Sequence, residues 1–195
     1  MRGRPSLTDP PHDLEGFPKR RLTTRRTLWR IHRKENTPWW FCSDLECRFD
    51  LPAPKGTCYL AEEPLGAFVE VFNDVGLVTE DDIKQRRISA LKVPRALRLA
   101  DCTNAASRGF GCTGEIHTTV DYDLTQRWAR ALAEAGFDGV RYLVRHDPAQ
   151  RRVGIAVFGE AGEARGWPRP RIEEMGERLV LDARRRFGIQ VLPRP

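Results

Sequence analysis

The chain has 195 residues, 40% of them hydrophobic and 31% charged, with a net charge of +6 and an isoelectric point of about 9.4. This composition excludes a disordered chain, and the length suits one domain with a proper core and is short for two. No apolar run approaches bilayer length, and the N-terminus MRGRPSLTDPPHDLEGFPKRR lacks the apolar core of a secretory signal, so a cytoplasmic location is expected.

Residues 1–24 are rich in Pro, Arg and polar side chains without periodicity, which predicts a flexible basic arm ahead of a single domain over 25–195. TLWRIHR alternates as a strand does, and Arg30 shares a face with Leu28. In CRFDLPAPKG the prolines and Gly56 break regular structure. TCYLA is read as a strand leading into an amphipathic helix. In that helix Pro64 suits the first turn, and Leu65, Phe68, Val69 and Phe72 form one apolar stripe. Glu70 lies off the stripe, roughly 150° from its middle at ~100° per residue. On periodicity alone it is a solvated glutamate on the outer face of a core helix.

TEDDIKQRRISAL predicts a second helix with Thr79 as N-cap. ALRLADC is a strand, and SRGFGCTGEIHTTVDYD a glycine-rich loop with one short strand at most. DLTQRWARALAEAG is a helix, capped by Asp123, lined by Leu124, Trp128 and Leu132 and stopped by Gly136. GVRYLVR and RRVGIAVFG are strands joined by the turn HDPAQ. PRIEEMGERLVLDARRRFG closes the chain as a helix with Ile172, Met175 and Leu179 inward, ending at Gly188. Arg184, Arg185 and Arg186 then complement the helix C-terminus rather than mark a nucleic-acid contact. Irregular alternation of these elements points to an α+β (mixed α/β) domain.

The positive charge comes mostly from arginine. Its forked donors suit phosphate, although a GC-rich genome gives the same enrichment and is the preferred account. Cys42, Cys47, Cys58, Cys102 and Cys112 are odd in number and contain no C-x-x-C. Reduced, mostly buried thiols are expected, with no metal. A dinucleotide-type glycine loop, a P-loop, H-E-x-x-H and G-x-S-x-G are all absent. Basic residues and aromatics are not interleaved as a single-strand platform requires, so a generic basic surface explains the charge better than nucleic-acid binding.

LWRIHR, CRFDLP, GTCYLA and a helix carrying AFVE stand in order and close together. With the later stretch TQRWARALAEAGFDGVRYLVRHDP, they make residues 27 to about 160 resemble the RES domain family. The resemblance implies an ADP-ribosyltransferase-like fold with a mixed, mainly antiparallel β core and flanking helices. It implies a toxin of a toxin–antitoxin pair that consumes NAD+ as substrate, needs no metal, and releases nicotinamide. It further implies phosphate or water as the acceptor and an Xre-like helix-turn-helix antitoxin as the partner.

The site residues it implies are Arg30, Arg48, Tyr59 and Glu70. Arg30 and Arg48 suit a pyrophosphate, and Tyr59 suits a nicotinamide ring. Glu70 suits the hydroxyl of a ribose developing oxocarbenium character. Each has a plainer reading. Arg30 fits a half-buried structural arginine, Arg48 a partner of Asp44 or Asp50, and Tyr59 a core strand residue. One position departs from the family: its serine is expected at Val144, with Thr118, Thr119 and Thr125 as unranked substitutes. A mono-ADP-ribosyltransferase acting on a macromolecule and a non-catalytic NAD+- or protein-binding module are the rival functions. A homodimer is the default assembly.

Overall fold

The computed structural model describes residues 7–72 and 77–193. The chain opens with β1 (Lys19–Leu22), β2 (Leu28–Arg33), the short β3 (Trp40–Phe41), β4 (Lys55–Ala61) and helix α1 (Pro64–Phe72). β5 (Leu77–Thr79), helix α2 (Glu80–Lys84), β6 (Arg86–Leu91) and β7 (Leu97–Asp101) follow. A 3-10 turn (Ala105–Phe110), α3 (Glu115–Thr118) and α4 (Tyr122–Glu134) then lead to β8 (Gly139–Leu143) and β9 (Val153–Glu160). β10 (Gly162–Glu163), β11 (Arg171–Glu173), α5 (Glu177–Phe187) and β12 (Gln190–Leu192) complete the described chain.

Eight strands form one sheet in the order β1-β7-β8-β9-β4-β2-β6-β11. Only β7 and β8 pair in parallel within it. A parallel pair needs a long crossover, and the segment carrying the 3-10 turn, α3 and α4 supplies it. The expected α+β class with a mixed, mainly antiparallel sheet is the one observed. Among the described residues no helix is long and apolar enough to cross a membrane.

Strand alternation sends side chains to two faces. One face carries two apolar clusters. Trp128 and Leu132 of α4 centre the first; Phe68 and Val69 of α1, with Ala183 of α5, belong to the second. The opposite face is covered by Trp39, Phe41 and Trp167 around Cys58, Leu60 and Ile155. Because α1 and α4 sit on the same face over different strands, a seam of sheet is left between them.

Several expectations are corrected. Residues 7–24 are not a loose arm, and 1–6 lie outside the described residues. Leu7, Leu14 and Phe17 are buried in the α4 cluster, and β1 pairs with β7. Trp128 Nε1 donates to the Thr8 carbonyl at 2.8 Å, and Leu7 N–H to Glu115 Oε2 at 2.8 Å. The expected helix over 79–91 ends at Lys84, because β6 is needed between β2 and β11. Its cap at Thr79 is in place, within a reciprocal capping box with Asp82. The glycine-rich loop holds a helical turn and α3 in place of a strand. Asp121 rather than Asp123 caps α4. Residues 171–173 are a strand with Ile172 exposed, and the last helix starts at Glu177.

Phe17 packs its ring 5.2 Å from Phe110, 6.0 Å from Phe137 and 6.2 Å from Trp128, centroid to centroid. Phe17→Ala is therefore expected to destabilise the fold by about 3–5 kcal/mol, read as a shifted urea midpoint. A change under about 0.5 kcal/mol, as for a surface position, would restore the loose-arm reading.

Candidate active site

A cavity of about 290 Å³ opens in the seam between α1 and α4. Its floor is strand: Trp29 and Ile31 of β2, Tyr59 and Ala61 of β4, Tyr142 of β8 and, just beyond it, Val144. Glu70 and Val71 of α1 form one side, and Tyr122 of α4 with Cys47 and Arg48 the other. Arg145 and His146 stand at the end of β8.

Glu70 is half-buried and faces this cavity rather than bulk water. The Tyr142 hydroxyl donates to its Oε1 at 2.9 Å. Burial, then the Glu70 charge, pushes the Tyr142 phenol well above its ordinary value, so Tyr142 stays a donor. The ring reaches Glu70 by lying over Gly154 of β9, where a Cβ would come within 2.3 Å of it. Only glycine leaves that space.

Arg48 is 7% exposed. Its Nη1 donates to the His117 carbonyl, and its guanidinium lies 5.9 Å from the Tyr122 ring centroid. It makes no ion pair among the described residues, and its buried Nε has no hydrogen-bond partner there. The suggested pairing with Asp44 or Asp50 is thus not formed. Asp50 serves Tyr59 instead: the Tyr59 hydroxyl donates to Asp50 Oδ1 at 2.8 Å and accepts from Phe49 N–H at 2.8 Å. Both bonds tie the hydroxyl to the turn, so the tyrosine offers its ring to the cavity.

Arg30 is used differently from the expectation of a pyrophosphate ligand. It edges the cavity, but on β2 its side chain alternates away from Trp29 and Ile31. Its Nη1 lies 2.7 Å from the Pro38 carbonyl, 2.8 Å from that of Trp40 and 2.9 Å from Cys58 Sγ. Here Arg30 fastens the segment before β3 to the far face of the sheet. Val144 lines the cavity and joins the α1 cluster, while Thr118, Thr119 and Thr125 are not in the lining.

His117, Tyr122 and Tyr142 were not singled out by sequence patterning, because each meets its partner across the sheet or the crossover. The His117 carbonyl holds Arg48, and its Nδ1 accepts from Leu143 N–H at 3.4 Å. The Cys42, Asp44 and Asp50 donor atoms also cluster within 4.8 Å. Cys42 Sγ donates to Asp44 Oδ2 at 2.9 Å, and burial followed by Asp44 pushes this thiol up to about 11.

The RES domain model matches residues 27–182. The chain belongs to the RES domain family. A chain of the crystal structure of the M. tuberculosis MbcT–MbcA toxin–antitoxin complex has a similar fold. Its TM-score is 0.60 at 15% sequence identity, covering 78% of this chain and 86% of that one. No curated protein matches this sequence. Within the RES domain, Arg48, Tyr59 and Glu70 all line one cavity.

His117 gives a test of the Arg48 side of that cavity. Burial first, then the Arg48 charge, lowers its pKa from the ordinary 6.5 to about 4. Between those values the unfolded chain binds a proton that the folded one does not, so stability from this group is complete above 6.5 and lost as pH falls to 4. The loss is expected to reach about 3 kcal/mol. Unfolding free energies across pH 4–7 should flatten by that amount in His117→Gln; an unaltered slope would show that His117 titrates normally.

Proposed function

We propose that this RES domain protein is a toxin that degrades NAD+ by cleaving the bond between nicotinamide and ribose. The observation that carries this reading is the convergence on one cavity of Glu70, Tyr59 and a buried Arg48 that makes no ion pair among the described residues. A cavity of about 290 Å³ is at the small end for ligand sites. It suits the nicotinamide riboside end of the dinucleotide, with the remainder crossing the mouth.

In this reading the nicotinamide ring lies against Tyr59 and the apolar floor. The Arg48 guanidinium, already largely buried and in no ion pair among the described residues, meets the pyrophosphate. Glu70 accepts a hydrogen bond from a ribose hydroxyl. As the glycosidic bond lengthens, positive charge grows on the ribose, and the Glu70 carboxylate stabilises it. The bonding electron pair leaves with nicotinamide, which departs neutral. Phosphate, or water that gives up a proton to the solvent, then bonds to the ribose carbon. Tyr142 holds Glu70 in place by donating to one oxygen.

The partner in this proposal is a helix-turn-helix antitoxin that covers the cavity mouth, in keeping with the toxin–antitoxin complex of the similar fold. The protein would act in the cytoplasm. One observation favours a second reading, a non-catalytic NAD+-binding module: Val144 puts methyl groups in the cavity lining, at the position where the family serine is expected.

Nicotinamide release by purified protein, with and without phosphate, tests the first reading. Glu70→Ala and Arg48→Ala are each expected to lower kcat/KM by roughly 10²–10³-fold, with the folded state checked by circular dichroism. Product dependence on phosphate names the acceptor. Well-folded wild type that binds NAD+ but releases no nicotinamide would establish the second reading. Val144→Ser would then be expected to raise release above background, and its failure to do so would remove Val144 as the reason.

A further inference from the structure

Asp50 is 0% exposed, yet it carries a carboxyl group. Oδ1 accepts the Tyr59 hydroxyl at 2.8 Å, and Oδ2 accepts Cys47 N–H at 2.9 Å. Its own N–H donates to the Cys47 carbonyl at 3.2 Å. Tyr59 returns to the same turn by accepting Phe49 N–H at 2.8 Å. Residues 47 to 50 are thus closed into a ring with Tyr59, and from that turn Arg48, with Cys47, lines the cavity on its other wall.

An apolar side chain at this depth would avoid a desolvation cost that pushes the Asp50 carboxyl up to about 6. Nearby Asp44 adds to that cost, while Cys47 N–H and the Tyr59 hydroxyl offset part of it. Structural burial alone does not call for an acid here. What the acid adds is two acceptors aimed in different directions, one at the Tyr59 wall and one at the Arg48 turn.

We propose that Asp50 is a positioning residue that locks the Tyr59 ring and the Arg48 turn into one rigid unit. The spacing between the flat wall and the guanidinium is then fixed before a ligand arrives, which lowers the ordering cost of binding. The effect on catalysis rests on the NAD+ reading above; the lock itself does not.

Amide hydrogen exchange at Cys47 and Phe49 tests the lock without any need for activity, alongside kcat and KM for nicotinamide release. Asp50→Asn keeps an acceptor for Tyr59 but puts a donor opposite Cys47 N–H. It is expected to speed exchange at Cys47 by about 10-fold or more, with Phe49 little changed. Asp50→Ala should speed both amides while those of α4 keep their protection. In Asp50→Ala, KM should rise about 10-fold or more, with kcat less affected and Asp50→Asn restoring most of the loss. Adding Tyr59→Phe to Asp50→Ala should cost little beyond Asp50→Ala alone, because the two act as one unit.

Unchanged exchange at Cys47 in Asp50→Asn would overturn the lock, and this variant serves even if Asp50→Ala fails to fold. Faster exchange with kcat and KM unaltered would reduce Asp50 to a structural residue. If wild type releases no nicotinamide while the amides respond as expected, the lock stands and the NAD+ reading falls.

Discussion

A guanidinium buried to 7% exposure with no ion pair among the described residues is the constraint around which this site is built. Removing such a charge from water is costly unless hydrogen bonds replace the lost hydration. Arg48 receives that replacement from neutral groups: the His117 carbonyl on α3 and the face of Tyr122 at the start of α4. Both lie on the crossover that the parallel β7–β8 pair demands. Neutral partners support the charge without cancelling it. Had Asp44 or Asp50 paired with Arg48, the cavity wall would be electrically quiet. Instead both acids lie in a separate hydrogen-bonded cluster with Cys42 and Tyr59, and the Arg48 charge lines the cavity across from Glu70.

The turn that carries Arg48 is held to β4 by alternate residues of one strand face. Thr57 Oγ1 donates to the Phe49 carbonyl at 2.8 Å, and Tyr59 takes Phe49 N–H and Asp50. From the other side, Gln126 of α4 donates to the carbonyls of Leu45 and Cys47 at 2.8 and 3.0 Å. A loop with so many fixed polar contacts is a precise mount for a side chain, despite its prolines. β4 also leads directly into α1, so Arg48, Tyr59 and Glu70 are all referred to the same strand. Their closeness in sequence is a consequence of that single mount.

This explains which parts were legible in the sequence. β2, β4, α1, α4 and the β8–β9 hairpin show in local periodicity, and Arg48, Tyr59 and Glu70 through their order along one short stretch. The packing of residues 7–24 could not show, since Leu7 and Phe17 have no period and find their partners more than ninety residues away, at Glu115, Phe110 and Trp128. The helix expected over 79–91 failed for a related reason. RRISAL favours no strand by pattern, and its state is decided by pairing with β2 on one side and β11 on the other. Glu70 is the instructive case. Periodicity places it opposite the apolar stripe, which ordinarily means solvent. Here the sheet extends past α1 to β8, so the direction away from the stripe meets Tyr142.

Val144 bears on how such a cavity can work. It shares a strand face with Tyr142 and is buried with the α1 cluster, so its methyls extend the apolar floor toward Glu70. A serine there would offer a donor and acceptor to a ligand; valine offers only contact area. The Tyr142 hydroxyl on the same face is already directed at Glu70, and the Tyr59 hydroxyl at Asp50. In the proposed reading, polar recognition on this floor therefore falls on Glu70 itself, while Arg48 acts from the wall. A drier floor strengthens the attraction between the Glu70 carboxylate and a developing positive charge, and it also withdraws one contact that would orient the ligand. In the proposed reading, valine where a serine is expected trades orientation for electrostatics, and the balance between the two bears on whether the cavity cleaves its ligand or only holds it.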